Sequence, residues 1–406
     1  MFQGSDATGR RVGVMIDVDL LYKHHTGVFA GIEQYAENAG WTTILDDWVE
    51  GPLARATPEQ RVYDGVIARV DAKRLGAIDA AARLGIPLVN VLLGSPAVDR
   101  LPGVFPDFDH VGRLQAEHLM ARGLSRFAFA FVKRRAPDER QAAAFTAHVK
   151  AAGHSITTFA WRQKRSSSLE IHDAWIASIE KWMNGWHLPV GVATVSDFVA
   201  RILAQLCHGR GWRVPEDVAI IGGRNEEQLC DRPRPGLSSI ECGFERVGYE
   251  AAKMLDRLMD EGEGVEAGHA SATLEHVILP PVGVVLREST DRYASTDPVV
   301  AEAQAYIFEQ CHTHLDVSTV AEKLLVSPRT LQNHFAAHLK RSVGQEIRRV
   351  RLERAKQELA TTDRAVHEIA VRAGFGSNAR LCEVFKREVG MSPSEYREQR
   401  QVKRER

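Results

Sequence analysis

Nothing in the sequence supplies a membrane span: no apolar run approaches the roughly 18 residues that one needs. Cysteine is scarce and scattered. Cys207, Cys230, Cys242, Cys311 and Cys382 form no CxxC pair. An odd number of dispersed cysteines argues against a disulfide framework and for a reducing compartment. The N-terminal MFQGSDATGRR lacks the apolar core of a secretory leader, so a cytoplasmic protein is expected. Catalytic signatures are missing as well. The chain carries no P-loop, GxGxxG, HExxH or nucleophile elbow, so neither an enzyme nor a cofactor is expected. His24–His25 and Cys311-His312-Thr313-His314 are the stretches that invite a metal. Cys311, His312 and His314 point apart on a helix, so no metal site is expected there.

What is present is enough apolar residue, 44% of 406, to bury a sizeable core. Charge is unevenly spread. Residues 296–406 hold 19 Lys+Arg against 15 Asp+Glu, a net of +4, while the preceding 295 residues carry −5. A basic C-terminal part on an acidic body suggests a local anionic partner.

Residues 11–18 (RVGVMIDV) read as a buried strand followed by a helical segment. Strand-like WTTILDD, YDGVIARV and IPLVNVLL alternate with helical stretches. The alternation resumes with RFAFAFV, SITTFAW, VGVATVS and VAIIGG. Such alternation predicts parallel sheets of right-handed βαβ units. Two runs predict two lobes with a ligand cleft between them. Polar DRYASTDP follows strand-like VILPPVGVVLRES, and beyond it the texture becomes wholly helical. The expected division is therefore a sensing region at 11–288, a linker at 289–297 and a helical region at 298–400.

The helical region contains an echo of itself. VAEKLLVSPRTLQNHF (320–335) and IAVRAGFGSNARLCEVF (369–385) each run from a β-branched residue and Ala through a turn to a Ser. Leu and Phe follow each Ser at +4 and +8, and Ser327 and Ser377 lie 50 residues apart. Each copy reads as helix, turn, helix with an N-capping Ser. Gly374 suits the second turn, and Leu325 stands in its place in the first. Between them, residues 342–362 read as one long helix of about 30 Å, close to a DNA turn of about 34 Å. Two reading helices so spaced could enter successive major-groove segments.

This part resembles the AraC/XylS family of transcription regulators, most specifically through GFGSNARLCEVFKREVGMSPSEYR (374–397). The resemblance implies base contacts from Arg329, Gln332 and Asn333 in the first reading helix and from Asn378 and Arg380 in the second. Arg pairs bidentately with guanine, and Asn or Gln with adenine. Glu383 departs from the basic residue common there, which leaves open that the second helix only docks on backbone. Lys340, Arg341, Lys386 and Arg387 are candidate phosphate contacts.

The preceding region resembles the sugar-binding domain of LacI-type repressors, through DFDHVGRLQAEHLMARGLSRFAF (107–129), VATVSDFVARILAQLCHGRGWRVPEDVAIIGG (192–223) and PGLSSIECGFERVGYEAAKMLDRLM (235–259). The expected architecture is thus a two-lobed α/β periplasmic-binding-protein-like (type I) domain followed by an all-α domain with two helix-turn-helix motifs. On the LacI-type pattern Asp107, Asp197 and Asn225 would contact a sugar, as would Arg140, with Gln141 as its alternate. Arg224 stands where an Asp is expected. The resemblance implies D-xylose as effector, with another sugar or an anionic sugar derivative left open by Arg224. It also implies a homodimer on repeated half-sites of double-stranded DNA and, for an activator, a contact with RNA polymerase. Repression stays open, as does a constitutive DNA binder whose α/β part only dimerises.

Overall fold

A computed structural model describes residues 9–18, 22–162, 169–263, 274–291, 297–339, 341–362 and 364–400. The first lobe is built from β1 (Arg11–Met15), α1 (Lys23–Ala39), β2 (Thr42–Leu45), α2 (Glu50–Arg55), β3 (Gly65–Ala68), α3 (Gly76–Arg83), β4 (Leu88–Asn90) and β5 (Gly103–Pro106). Helix α4 (Phe108–Met120) crosses to the second lobe. That lobe holds β6 (Arg126–Val132), α5 (Ala136–Ala151), β7 (Ser155–Trp161), α6 (Leu169–Met183), β8 (Val190–Thr194), α7 (Asp197–Gly209), β9 (Val218–Ile221) and the short α8 (Glu227–Cys230). Strand β10 (Ser239–Glu241) leads back through α9 (Phe244–Glu263) to β11 (His276–Leu279), and β12 (Gly283–Val285) then returns to pair with β10.

Both main sheets are parallel. The first has the order β11-β5-β4-β3-β1-β2, and the second β7-β6-β8-β9. Their strands are nearly all apolar because helices cover both faces, as the fully buried GVIA of β3 and VAII of β9 illustrate. In the first sheet strand order reverses on either side of β1, which opens a crevice at the carboxyl ends of the strands. Helices α1 and α9 meet backbone to backbone. A Cβ on Gly31 would lie 1.8 Å from the Glu245 carbonyl oxygen, and one on Gly248 would lie 1.9 Å from that of Val28.

The C-terminal unit is all helix: α10 (Pro298–Gln310), α11 (Val317–Lys323), α12 (Pro328–Leu339), α13 (Val343–Thr361), α14 (Val366–Arg372), α15 (Asn378–Val389) and α16 (Pro393–Arg400). Most of the expected linker, residues 292–296, lies outside the described residues. Two small cores flank α13. One gathers Leu331, Phe335 and Ile347, and the other gathers Leu359, Leu381 and Phe385. The sequence echo becomes a structural one. Ser327 Oγ accepts from Thr330 N at 3.0 Å, and Ser377 Oγ accepts from Arg380 N at 3.3 Å, so each Ser caps the helix that follows. Helices α12 and α15 start and end 50 residues apart. No described helix is long and apolar enough to cross a membrane.

The two turns differ in strain. Gly374 adopts φ +84°, and its missing side chain makes room for the Cys311 carbonyl, 2.0 Å from where a Cβ would stand. Leu325 holds the same left-handed conformation at φ +57° with its side chain 94% exposed. A left-handed leucine costs about 1–2 kcal/mol, part of which glycine returns as lost chain entropy. Leu325→Gly is therefore expected to stabilise the helical unit by about 0.5–1 kcal/mol. Gly374→Ala should destabilise it. Urea unfolding followed by circular dichroism measures both shifts, and a lower midpoint for Leu325→Gly would refute the strain argument.

Candidate ligand cleft and nucleic-acid interface

The carboxyl ends of the strands of both lobes face a cavity of about 1220 Å³. Its wall on the second lobe is aromatic. Trp161 ends β7, Trp175 lies on α6 and Phe198 on α7. The Trp175 and Phe198 rings stack 4° from parallel with centroids 6.4 Å apart, and Trp161 lies 6.0 Å from Trp175. Such a wall suits the C–H face of a small hydroxylated ring. His24 reaches in from α1, and Arg69 from the end of β3. Burial, Arg69, His25, Arg224 and Arg135 push His24 down to about 2, so its imidazole is neutral near pH 7.

The expected ligand contacts divide. Asp197 lines the cavity but is 1% exposed. Its Oδ1 accepts from Gly223 N at 3.1 Å and Ser239 Oγ at 2.6 Å, while Oδ2 accepts from Glu226 N at 2.9 Å. Arg224 also lines the cavity. It lies 3.3 Å from Asp138, donates to Gln141 Oε1 at 3.0 Å and covers the Phe108 ring at 4.6 Å. Asn225 is buried beside it at φ +51° and donates to Glu241 Oε2 at 2.9 Å. Asn225, Asp107 and Arg140 are all absent from the cavity lining. Asp107 caps α4 by accepting from His110 N at 2.8 Å, and Arg140 pairs with Asp109 on that helix. Sequence reasoning passed over Arg69, Trp161, Trp175 and Phe198. The place of Trp161 and Arg69 at strand carboxyl ends was the available signal.

The lobes are bridged at the cleft. Lys23 at the start of α1 gives its backbone N–H to Glu226 at 2.9 Å, and its ammonium pairs with Glu227 at 2.6 Å and Glu241 at 2.5 Å. On the far side of the second lobe, the chain leaving β12 is clamped. Ser289 Oγ donates to the Ile220 carbonyl at 2.6 Å, and Arg122, just past the end of α4, donates to the Thr290 carbonyl at 2.7 Å. The next residue, Asp291, pairs with Arg349 of α13 at 2.7 Å. Arg349 and Arg341 each lie 2.7 Å from Glu346, which is 1% exposed.

In the helical unit Arg329 and Asn333 are exposed and Gln332 is half-buried on α12, beside the buried Leu331 and Phe335. Asn378 and Arg380 are exposed on α15, where Arg380 pairs with Glu383 at 2.7 Å. Lys386 and Arg387 are exposed too, Arg387 lying 3.0 Å from Glu388. Arg341 is engaged by Glu346 and Asp291 at the junction, so its charge is turned inward. Lys340 lies outside the described residues. One cluster of metal-ligand type was invisible to local spacing. Asp297, which caps α10, lies 3.0 Å from His334 Nδ1 and 3.5 Å from His338 Nε2. These are the described residues that could hold a divalent ion. His334 and His338 are one helical turn apart, but Asp297 is distant in sequence.

A periplasmic binding protein-like domain model matches residues 116–290, and a helix-turn-helix domain model matches 320–399. The chain is 27% identical to the xylose operon regulatory protein of Haemophilus influenzae over 401 residues, covering 95% of this chain and 98% of that one. It is 26% identical to the Escherichia coli K12 protein of the same name over 397 residues, covering 96% and 97%. A solved structure described as the xylose-binding transcription activator xylR superposes with a TM-score of 0.57 at 25% identity, covering 96% and 97%. These matches correct one expectation and bear out another only in part. Assignment to the AraC/XylS family does not stand, because the matching models are of the periplasmic-binding and helix-turn-helix kinds and the full-length likeness is to xylose operon regulators. One helix-turn-helix region is matched where two motifs were expected.

Glu346 gives a pH prediction. Burial pushes its carboxyl up, but the Arg349 bond, the charges of Arg349 and Arg341 and a bond from Gln304 outweigh burial and hold it below the ordinary range. A depressed carboxyl stabilises the fold fully above its unfolded value, near 4.3, and loses that contribution as pH falls through the folded value. The midpoint of urea unfolding should therefore drop more steeply below about pH 4 in the native chain than in Glu346→Gln, which should itself be destabilised at pH 7. Parallel acid dependences in the two proteins would count against this pairing.

Proposed function

We propose that the chain is a ligand-responsive, DNA-binding transcription regulator of the xylose-operon type that activates sugar-utilisation genes. The observation that carries this reading is the order of parts. A two-lobed sensor with an aromatic-walled cleft is followed by a helix-turn-helix unit, and the likeness to xylose operon regulators runs through both. The cleft takes the effector, a small sugar or sugar derivative, and the likeness to xylose operon regulators makes D-xylose the first compound to test. The sensing region spans 11–288, the linker 289–297 and the DNA-binding region 298–400.

Both helix pairs, α11–α12 and α14–α15, act as helix-turn-helix motifs in this reading. Arg329, Gln332 and Asn333 read base edges, Asn378 and Arg380 do so in the second pair, and Lys386 and Arg387 meet phosphates. Helix α13, with 19 residues, is about 28 Å long and holds the two reading helices about one DNA turn apart. The functional species is a homodimer on repeated half-sites, contacting RNA polymerase beside the promoter. Lobe movement on ligand binding reaches the helices through Ser289, Thr290 and Asp291, because that segment is fixed to the second lobe and paired with α13.

Two experiments test this. Selection from a random pool of duplexes should return repeated half-sites. On the selected site Arg329→Ala should weaken binding by about 5–150-fold and relax preference at one position, as loss of one bidentate base contact does. Lys386→Ala should weaken all sequences evenly and lower the salt slope by about one. A pool that shows no enrichment sinks the proposal. In the second experiment, Asp291→Ala should keep ligand affinity but shrink the ligand's effect on DNA affinity, a coupling typically of about 1–3 kcal/mol, toward none. An unchanged ligand effect would remove Asp291 from the path.

A further inference from the structure

We infer that the effector carries an anionic group, a carboxylate or a phosphate on a small hydroxylated body, and that Arg69 is its principal anchor. This rests on the reading of the cleft as the effector site. Arg69 directly follows β3, where its backbone N–H donates to the Met15 carbonyl, and its side chain lines both the main cavity and the small one beside it. Its guanidinium has no hydrogen-bond or ion-pair partner among the described residues.

Four other carboxylates of the cleft are held within the protein, two by arginines and two by neutral N–H and O–H donors. Asp17 receives Arg74 at 2.8 Å. Asp138 serves both Arg224 at 3.3 Å and Arg135 at 3.7 Å. Both oxygens of Asp197 accept from the protein, and Glu226 accepts from the Lys23 backbone. Arg162 and Glu170, which also line the cavity, are exposed and cancel in charge. Arg135 and Arg224 are thus both engaged by Asp138, and Arg69 is the half-buried guanidinium of the cavity with no partner among the described residues. Burial, aided by Arg135 and Arg74, holds Arg69 down to about 10 even though Asp17 pulls the other way, so it remains charged near pH 7.

A neutral sugar needs acceptors as well as donors, since each hydroxyl donates one proton. The cleft carboxylates already accept from the protein, Asp138 Oδ2 aside, whereas the whole guanidinium of Arg69 remains to be matched. A planar guanidinium fork matches the two oxygens of a carboxylate or phosphate. Trp161 and Trp175 offer a face to the C–H side of the hydroxylated body, and the cavity is large enough for one.

The test is calorimetry on the full-length protein with D-xylose, D-xylonate, D-glucuronate and D-glucose 6-phosphate. Saturable binding of at least one acid or phosphate, at least tenfold tighter than xylose, is the expected result, and the two kinds of anion separate carboxylate from phosphate. Arg69→Gln should lose at least tenfold in affinity for that anion and Arg69→Lys less, with unchanged melting temperatures excluding a folding defect. Saturation by xylose with silence from every anion overturns the inference and leaves the sensor reading standing. Equal anion affinity in Arg69→Gln overturns the assignment of Arg69. Silence from the whole panel, with half-sites still selected from the duplex pool, rejects the anionic effector and the sugar-sensing cleft together but keeps the DNA-binding role.

Discussion

A carboxylate at 1% exposure remains ionised only where cations and donors replace the water it has lost. Glu346 is such a group, and the junction between sensor and helices is built around its need. Arg341 and Arg349 supply the charge, Gln304 of α10 supplies a further donor at 3.2 Å, and Arg349 extends the network to Asp291. The same bonds that keep Glu346 charged therefore tie α10, α13 and the end of the sensor into one electrostatic unit. Breaking one partner leaves a buried charge uncompensated, which costs far more than an exposed pair gains.

The cleft follows the opposite logic. At the junction every buried charge is matched within the protein. At the cleft Arg69 has no partner among the described residues, and the desolvation it suffers is a cost the free protein carries. Lys23 closes the lobes on Glu227 and Glu241 without help from Arg69, so the bridge between lobes and the place for the ligand are separate devices. A ligand that neutralised Arg69 would offset that cost in the lobe arrangement that binds it.

Much of the architecture was legible in the chain. Buried parallel strands are continuous apolar runs, and VGVAT and VAII announce themselves in that way. The 50-residue echo survives because both copies solve one local problem, a Ser cap and a Leu–Phe stripe on each second helix. Site residues were less legible because their roles are set by distant partners. Asp107 was read as a ligand contact, yet an Asp at the start of a helix also satisfies backbone donors, and it does so here. Arg140 faces Asp109 across the α4–α5 contact, and Arg341 faces Glu346 and Asp291, pairings that no local spacing encodes. Asp297 with His334 and His338 lies beyond local spacing for the same reason.

The two helix pairs share a frame but not a chemistry. On α12 the exposed face offers Arg329 with no ion-pair partner among the described residues, beside Gln332 and Asn333. On α15 Glu383 holds Arg380 at 2.7 Å and approaches Arg387 at 3.6 Å, so two cations share one acid. Exposed pairs of this kind are worth about 0–1 kcal/mol and break readily against a phosphate or a guanine edge. Yet the acid remains and repels the backbone wherever it is not itself facing a cytosine amino group. In the proposed reading, a free Arg on α12 and a shared one on α15 would let the first helix supply most of the discrimination and the second, with Lys386 and Arg387, mainly fix position. The strain at the turns runs the same way. Leu325 at φ +57° makes the first pair the costlier one to hold, whereas Gly374 lets the second close on the Cys311 carbonyl without strain.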